Sequence, residues 1–180
     1  MELKHLKNSD LWEKFNHLFK VQDVPAKTTL LNAGQVANKI YFVEKGCLRV
    51  WFNNNGKDVT FQFFFEGESV SSIESFKTKQ PSLFTIESIE PCTLYAISYK
   101  DFEFLVEHSV EVQKIVAEQT FERLLLYQHL FLSRIKDNPE KRYKDLLNQY
   151  PKLLQRVPQH FIASYLGITS VSLSRIRNRR

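Results

Sequence analysis

Apolar positions fall into two regimes along this chain. Over residues 28–98 they come as short runs rich in β-branched and aromatic residues, at 40–43, 48–52, 59–65, 84–89 and 93–97. Turn clusters separate them and end at Gly34, Gly46, Gly56 and Gly67, which are 12, 10 and 11 residues apart. Short runs at this spacing predict an antiparallel β-sandwich or roll. Asn55-Gly56 marks a hairpin, because both residues tolerate positive φ. Val59, Thr60, Phe61, Gln62 and Phe63 alternate apolar with polar, so one strand face is expected inside. Leu3, Leu6, Leu11, Trp12, Phe15, Leu18 and Phe19 predict short amphipathic helices beside the strands, and no useful helix pattern interrupts residues 28–98.

The second regime begins after Tyr99. Residues 110–135 contain no glycine or proline. Ala117, Phe121, Leu124, Gln128, Phe131 and Ile135 follow a 4-3-4-3-4 spacing, one seam of a heptad. Twenty-six residues make a rod of roughly 39 Å, and around 124–127 it is apolar on nearly every side. Such a helix must be buried all round. Packing one face on its own β-domain and the other on a second chain satisfies that, as does a core helix in a monomer. Asp137, Asn138 and Pro139 end the helix, dividing the chain into 1–109, 110–136 and 137–180.

Charge is concentrated at one end. Residues 1–132 carry 14 Lys/Arg and 17 Asp/Glu, a net of −3, whereas residues 133–180 carry 11 and 3, a net of +8. A basic last quarter suggests a polyanion as partner. In that quarter, Pro158 suits a first helical turn, Ala163 is small where two helices would cross, and Gly167 supplies a turn. Ile162, Leu166, Ile168, Leu173 and Ile176 fall on inward faces, and Thr169 or Ser170 can cap the second helix. Together these positions predict a helix-turn-helix. Its second helix would lie in the major groove of double-stranded DNA, presenting Thr169, Ser170, Val171, Ser174, Arg175 and Asn178. Arg175 suits bidentate readout of guanine and Val171 a thymine methyl. Arg177, Arg179, Arg180, Lys141 and Arg142 suit phosphates.

Taken in this order, the parts resemble the Crp/Fnr family of bacterial transcription regulators. The similarity runs through Leu30, Gly34, Ile40, Tyr41, Val43, Gly46, Leu48, Arg49 and Val50, continues at Phe65, Gly67 and Glu68, and closes at Leu94, Ala96, Ile97, Ser98, Asp101 and Phe102. The resemblance implies an α+β chain: a cyclic-nucleotide-binding-like β-roll, a long dimerisation helix and a C-terminal helix-turn-helix. It also implies a cytoplasmic homodimer that reads an inverted repeat, contacts RNA polymerase if an activator, and is gated by a small effector in the roll. The dimer seam would be Ala117, Phe121, Leu124, Gln128 and Phe131. An effector pocket would draw on Gly67, Glu68, Ser71, Ser72 and Ser82, with Thr120 and Arg123 from the helix.

Departures from the family change the expectations. Cyclic-nucleotide binders carry a second glycine after Gly-Glu, where Ser71 stands, and an Arg-Ser or Arg-Thr pair about ten residues on, where Pro81-Ser82 aligns. Proline offers neither charge nor donor, so the phosphate clamp is missing; cyclic AMP is not the expected effector and no cofactor is expected. With the chain ending two residues after the recognition helix, the β wing is expected to be truncated or absent.

Other functions fit less well. No histidine lies between His17 and His108, so a β-roll metalloenzyme lacks ligands. Cys47 and Cys92 cannot supply a four-cysteine cluster. The longest apolar runs are four residues, against the roughly 20 a membrane-spanning helix needs. A competing reading is a ligand-binding sensor that acts through protein contacts without specific DNA binding.

Overall fold

The computed structural model describes Lys7 and residues 10–178. The chain runs α1 (Asp10–Phe15), one 3-10 turn (Asn16–Leu18), β1 (Phe19–Val24), β2 (Thr29–Leu31), β3 (Lys39–Lys45), β4 (Leu48–Asn54), β5 (Lys57–Phe64) and β6 (Ser69–Val70). It continues with α2 (Ile73–Thr78), β7 (Thr85–Ser88), β8 (Cys92–Ser98), α3 (Tyr99–His108), α4 (Val110–Lys136), α5 (Pro139–Gln149), α6 (Leu153–Arg156), α7 (Gln159–Leu166) and α8 (Ser170–Asn178).

Two four-stranded antiparallel sheets form the roll, in the orders β1-β8-β3-β6 and β2-β7-β4-β5. The β4–β5 hairpin closes through Asn55 (φ 52°) and Gly56 (φ 84°), with Asn54 opposite Lys57. Both central residues therefore take the positive φ that a two-residue hairpin demands. The main core includes Tyr41, Val43, Leu48, Val50, Ile86, Leu94 and Ile97, with Leu11 of α1, Leu105 of α3 and Val112 of α4. The helix α4 starts at a Ser109 cap, whose hydroxyl accepts the Val112 N–H, and ends where Asn138 caps α5 with Pro139 in its first turn.

Three features depart from the sequence-based expectations. Phe19 does not continue a helix but opens β1, pairing with Ile97; Leu3 and Leu6 lie outside the described residues. Only Phe19 of β1 is buried, because β1 is an edge strand and pairing with β8, rather than an apolar pattern, makes it a strand. Second, the alternation in β5 breaks at Phe61: Thr60 and Gln62 are buried while Phe61 is 39% exposed, and only Phe63 of the apolar alternates is buried. A bulge shifts the register between Val50 and Trp51, so that Val50 faces Gln62 and Trp51 faces Thr60. Phe61 is thereby thrown out against Phe84 and Tyr127, with ring centroids 5.0 and 5.9 Å away. Third, the six-residue helix α2 interrupts the strands.

One glycine is required by close approach. At Gly46 (φ 104°) an added Cβ would lie 2.5 Å from Cys92 Sγ and 2.8 Å from Pro91 O, whereas at Gly56 it would meet open space. Positive φ alone costs an L-residue about 1 kcal/mol, and overpacking adds about 2 kcal/mol more. Gly46→Ala should therefore destabilise the protein clearly more than Gly56→Ala in urea unfolding. Equal losses would remove the steric argument.

Candidate nucleic-acid interface and ligand cavity

The C-terminal helices form the predicted tight turn. Gly167 (φ 69°) ends α7 in the left-handed region, with its N–H bonded to Ser164 O and the Ile168 N–H to Ala163 O. Thr169 caps α8, its hydroxyl accepting the Ser172 N–H at 3.1 Å. Ile162, Ala163, Leu166 and Leu173 are buried between the helices, and Ile168 and Ile176 are half-buried. The side of α8 turned to solvent carries Thr169, Ser170, Val171, Ser174, Arg175, Arg177 and Asn178, all exposed. Arg177 also hydrogen-bonds the Tyr143 hydroxyl, which burial holds above the usual phenol range. Arg179 and Arg180 lie outside the described residues. Two other basic residues have protein partners: Lys141 pairs with Asp137 at 2.9 Å, and Arg142 donates to the carbonyls of Asp137 and Leu166 at 2.7 and 2.9 Å.

This domain docks directly on the roll. β5 is an edge strand, and a bare edge leaves backbone donors and acceptors unpaired. Here α7 covers it: Ser164 Oγ accepts the Thr60 N–H and donates to Asp58 O, each at 2.9 Å. Cys47, Phe63 and Phe65 of the roll share one apolar cluster with Tyr143, Leu146, Leu153, Val157, Ile162 and Leu173. The Arg49 guanidinium is sandwiched between the domains, bonded to Glu87 Oε1 at 2.6 Å and lying 3.6 Å from the Phe161 ring centroid. At the other end of the contact, Arg156 binds Glu66 at 2.7 Å and also Glu90.

Glu68 belongs to this contact and not to a ligand pocket. Its carboxylate accepts the Phe65 N–H at 2.7 Å and the Tyr150 hydroxyl at 3.2 Å. Burial first, and then Glu68, push the Tyr150 hydroxyl well above its ordinary value. Gly67 (φ 88°) turns the chain into this position. Ser72 and Ser82 are buried and bonded to each other, Oγ to Oγ at 2.8 Å. The seven residues expected of an effector pocket thus separate into groups. Ser71, Thr120 and Arg123 come together in a cavity of about 340 Å³ between the first sheet and α4. Gly67, Glu68, Ser72 and Ser82 do not line it.

The sequence did not reveal most of the cavity wall: Phe42, Phe64, Phe102, Gln119 and Tyr127. One usable signal was present, since Val116, Gln119, Thr120, Arg123 and Tyr127 follow the 3- and 4-residue steps of one helix face. The neighbouring face of α4 is bare in the single chain. Phe121, Leu124, Phe131 and Ile135 are 61%, 61%, 67% and 69% exposed, and Ala117 and Gln128 are exposed with them.

The two cysteines are buried thiols. Burial pushes Cys47 far up, and raises Cys92 to about 11. Among the described residues, no three His, Cys, Asp or Glu side chains gather as a metal site, and no helix is long and apolar enough to cross a membrane.

Fold and site define a two-part protein: a roll with a cavity against one long helix, and a helix-turn-helix presented beyond it. The cyclic nucleotide-binding domain family matches residues 21–109. The cAMP-activated global transcriptional regulator CRP of Pasteurella multocida is 27% identical over 105 residues, 58% of this chain and 50% of that protein. The chain thus spans about half the length of the curated relatives it matches. Among solved structures, FixK2 from Bradyrhizobium japonicum superposes with a TM-score of 0.76 at 15% identity, over 88% of this chain and 82% of that one. A chain from Eubacterium rectale assigned to the Crp/Fnr family gives 0.71 at 18%, over 93% and 84%. The roll thus matches the cyclic nucleotide-binding domain family, and the chain has the fold of solved Crp/Fnr regulators.

The Arg156 cluster predicts a pH-dependent docking contact. Burial pushes the Glu66 carboxyl up, but hydrogen bonds from Arg156 and the Gly46 N–H outweigh it and hold Glu66 below its ordinary range. A depressed carboxyl stabilises the fold above its unfolded pKa, and that stability is lost as pH falls through the folded pKa. Arg156→Ala should lower the melting temperature at pH 7 and speed amide exchange at Thr60. The gap to wild type should close on acidification through the glutamate range. A gap independent of pH would show that Arg156 acts by packing alone.

Proposed function

We propose that the protein is a homodimeric, sequence-specific DNA-binding transcription regulator whose output is set by a small effector in the roll. The observation that carries this reading is the exposed face of α8. Thr169, Ser170, Val171, Ser174, Arg175, Arg177 and Asn178 face solvent on a helix whose other side is buried, inside a segment of net charge +8. A surface helix normally mixes charge signs, whereas this one has no acid. In a groove, Arg175 would read a guanine edge and Val171 a thymine methyl, while Arg177 and Arg179 would meet phosphates. The working division is a sensor roll at 1–109, a connecting helix at 110–136 and a DNA-binding unit at 137–180. The chemistry is recognition, not catalysis, and the place of action is the cytoplasm.

The bare stripe on α4 supports a second copy of the chain as partner. Phe121, Leu124 and Phe131 in water are an exposed apolar seam of the kind that marks an interface. Two copies joined there would hold their recognition helices about one DNA turn, roughly 34 Å, apart and so read an inverted repeat. If the output is activation, RNA polymerase is the further partner. The alternative, a sensor acting through protein contacts, leaves the acid-free α8 face without a role.

Selection of random duplex DNA at near-physiological salt tests the reading, with enrichment of an inverted repeat expected. Arg175→Ala should relax one base per half-site, costing about 1–3 kcal/mol there. Arg179→Ala should weaken all sequences alike and reduce the salt slope by about one. Equal losses on every sequence for both would overturn the division of roles. Separately, Phe131→Glu should turn a dimer into a folded monomer by analytical ultracentrifugation; a wild-type monomer would defeat the dimer.

A further inference from the structure

We propose that the cavity between the first sheet and α4 binds a hydrophobic monocarboxylate, with Arg123 holding the carboxylate. This rests on the reading of the protein as an effector-gated regulator and names the effector's chemical class.

The cavity is walled by Ile40, Phe42, Ser69 and Val70 of the first sheet, Phe64 of the second and the face of α4. Tyr41 points between the sheets, its hydroxyl bonded to Leu30 O of β2 at 3.3 Å. Its strand neighbours Ile40 and Phe42 point the opposite way, and both line the cavity. At about 340 Å³, the space is near the lower end of small-molecule sites, roughly 300–1,000 Å³.

The walls select for a particular chemistry. Phe42, Phe64, Phe102 and Tyr127 supply aromatic surface, with Val116 and Leu124 beside them, and no Asp or Glu lines the cavity. Arg123 is its only cationic wall. The guanidinium lies 5.3 Å from the Phe64 ring centroid, donates to Ser69 O at 3.2 Å and hydrogen-bonds Tyr127. A guanidinium has five N–H donors, and in an apolar wall its best partner is an anion bound through two of them.

The remaining polar capacity is small. The Ser71 hydroxyl donates to Lys39 O at 2.9 Å, the Thr120 hydroxyl to Val116 O at 2.7 Å and the Gln119 amide to Glu122 at 2.8 Å. A cyclic nucleotide presents a phosphate, a ribose hydroxyl and a base edge, and would leave most of these unpaired in an aromatic wall. A carboxylate on an apolar body leaves nothing unpaired. Such a ligand would also rest on Leu124, which is 61% exposed on the bare side of α4, so it would contact the helix where a second copy docks.

Calorimetric titration of the full chain with decanoate, decanol and cyclic AMP tests this, alongside Arg123→Gln and Arg123→Lys. Saturable uptake of one decanoate per chain is expected, about tenfold tighter than decanol, because one charge-assisted contact separates the two. Arg123→Gln should erase the preference while leaving decanol unchanged, and Arg123→Lys should keep part of it. Decanoate no tighter than decanol, uptake at many sites indifferent to Arg123, or tighter Arg123-dependent binding of cyclic AMP would each overturn the ligand class. Failure here with an inverted repeat still selected leaves the regulator reading standing. No selected sequence with or without decanoate would remove that reading itself.

Discussion

A buried guanidinium holds this molecule together. Arg49 is 2% exposed and sits on β4 opposite Glu87 of β7, its register partner. Burying a charge costs several kcal/mol unless it is paired and hydrogen-bonded. Glu87 supplies the pairing, Thr60 of β5 a longer contact at 3.5 Å, and Asp58 a second acid at 3.8 Å. The last wall is Phe161 of α7, whose ring covers the guanidinium. Arg49 therefore ties three neighbouring strands together, and it is dry because the C-terminal domain lies over it. That docking explains why β5 can be an edge strand, and why its polar Thr60 and Gln62 are buried.

The same economy appears in α4. One face packs on the roll through Val112, Ile115 and Val116, a second lines the cavity, and a third, from Phe121 to Ile135, is bare. A helix with three different environments cannot show one clean amphipathic stripe. The all-round apolarity near residue 125 thus spans three environments of one rod: the roll, the cavity and the bare face.

Legibility followed how local each cause is. The Asn55-Gly56 hairpin and the Gly167 turn were readable because positive φ is a property of single residues. Inward and outward positions of α7 and α8 were readable because two helices crossing at a turn fix them within about 20 residues. The strand β1 was not, because only pairing with β8, about 70 residues away, makes it a strand. The parity of β5 failed for a similar reason: a bulge and a remote domain decide which side is wet. Glu68 illustrates the limit for sites. Gly67-Glu68 is a motif, but the direction of its carboxylate depends on Tyr150, which docks from the other domain. The roles of Arg49 and Ser164 were not readable, Arg49 entering only through the family resemblance, since both act across more than 35 residues of sequence.

Cavity and docking contact share one strand: Phe64 of β5 lines the cavity, while Phe63 beside it and Phe65 beyond it pack in the cluster that holds the C-terminal helices. Tyr150 completes that cluster, donating to Glu68 and packing on Phe65 with ring centroids 4.6 Å apart. A ligand in the cavity biases docking only by its differential affinity for the two arrangements, and any such influence runs equally in both directions. On the opposite side, the same ligand would touch Leu124 at the bare seam. One cavity thus borders two surfaces: the contact of the C-terminal helices with their own roll and the bare apolar face of α4.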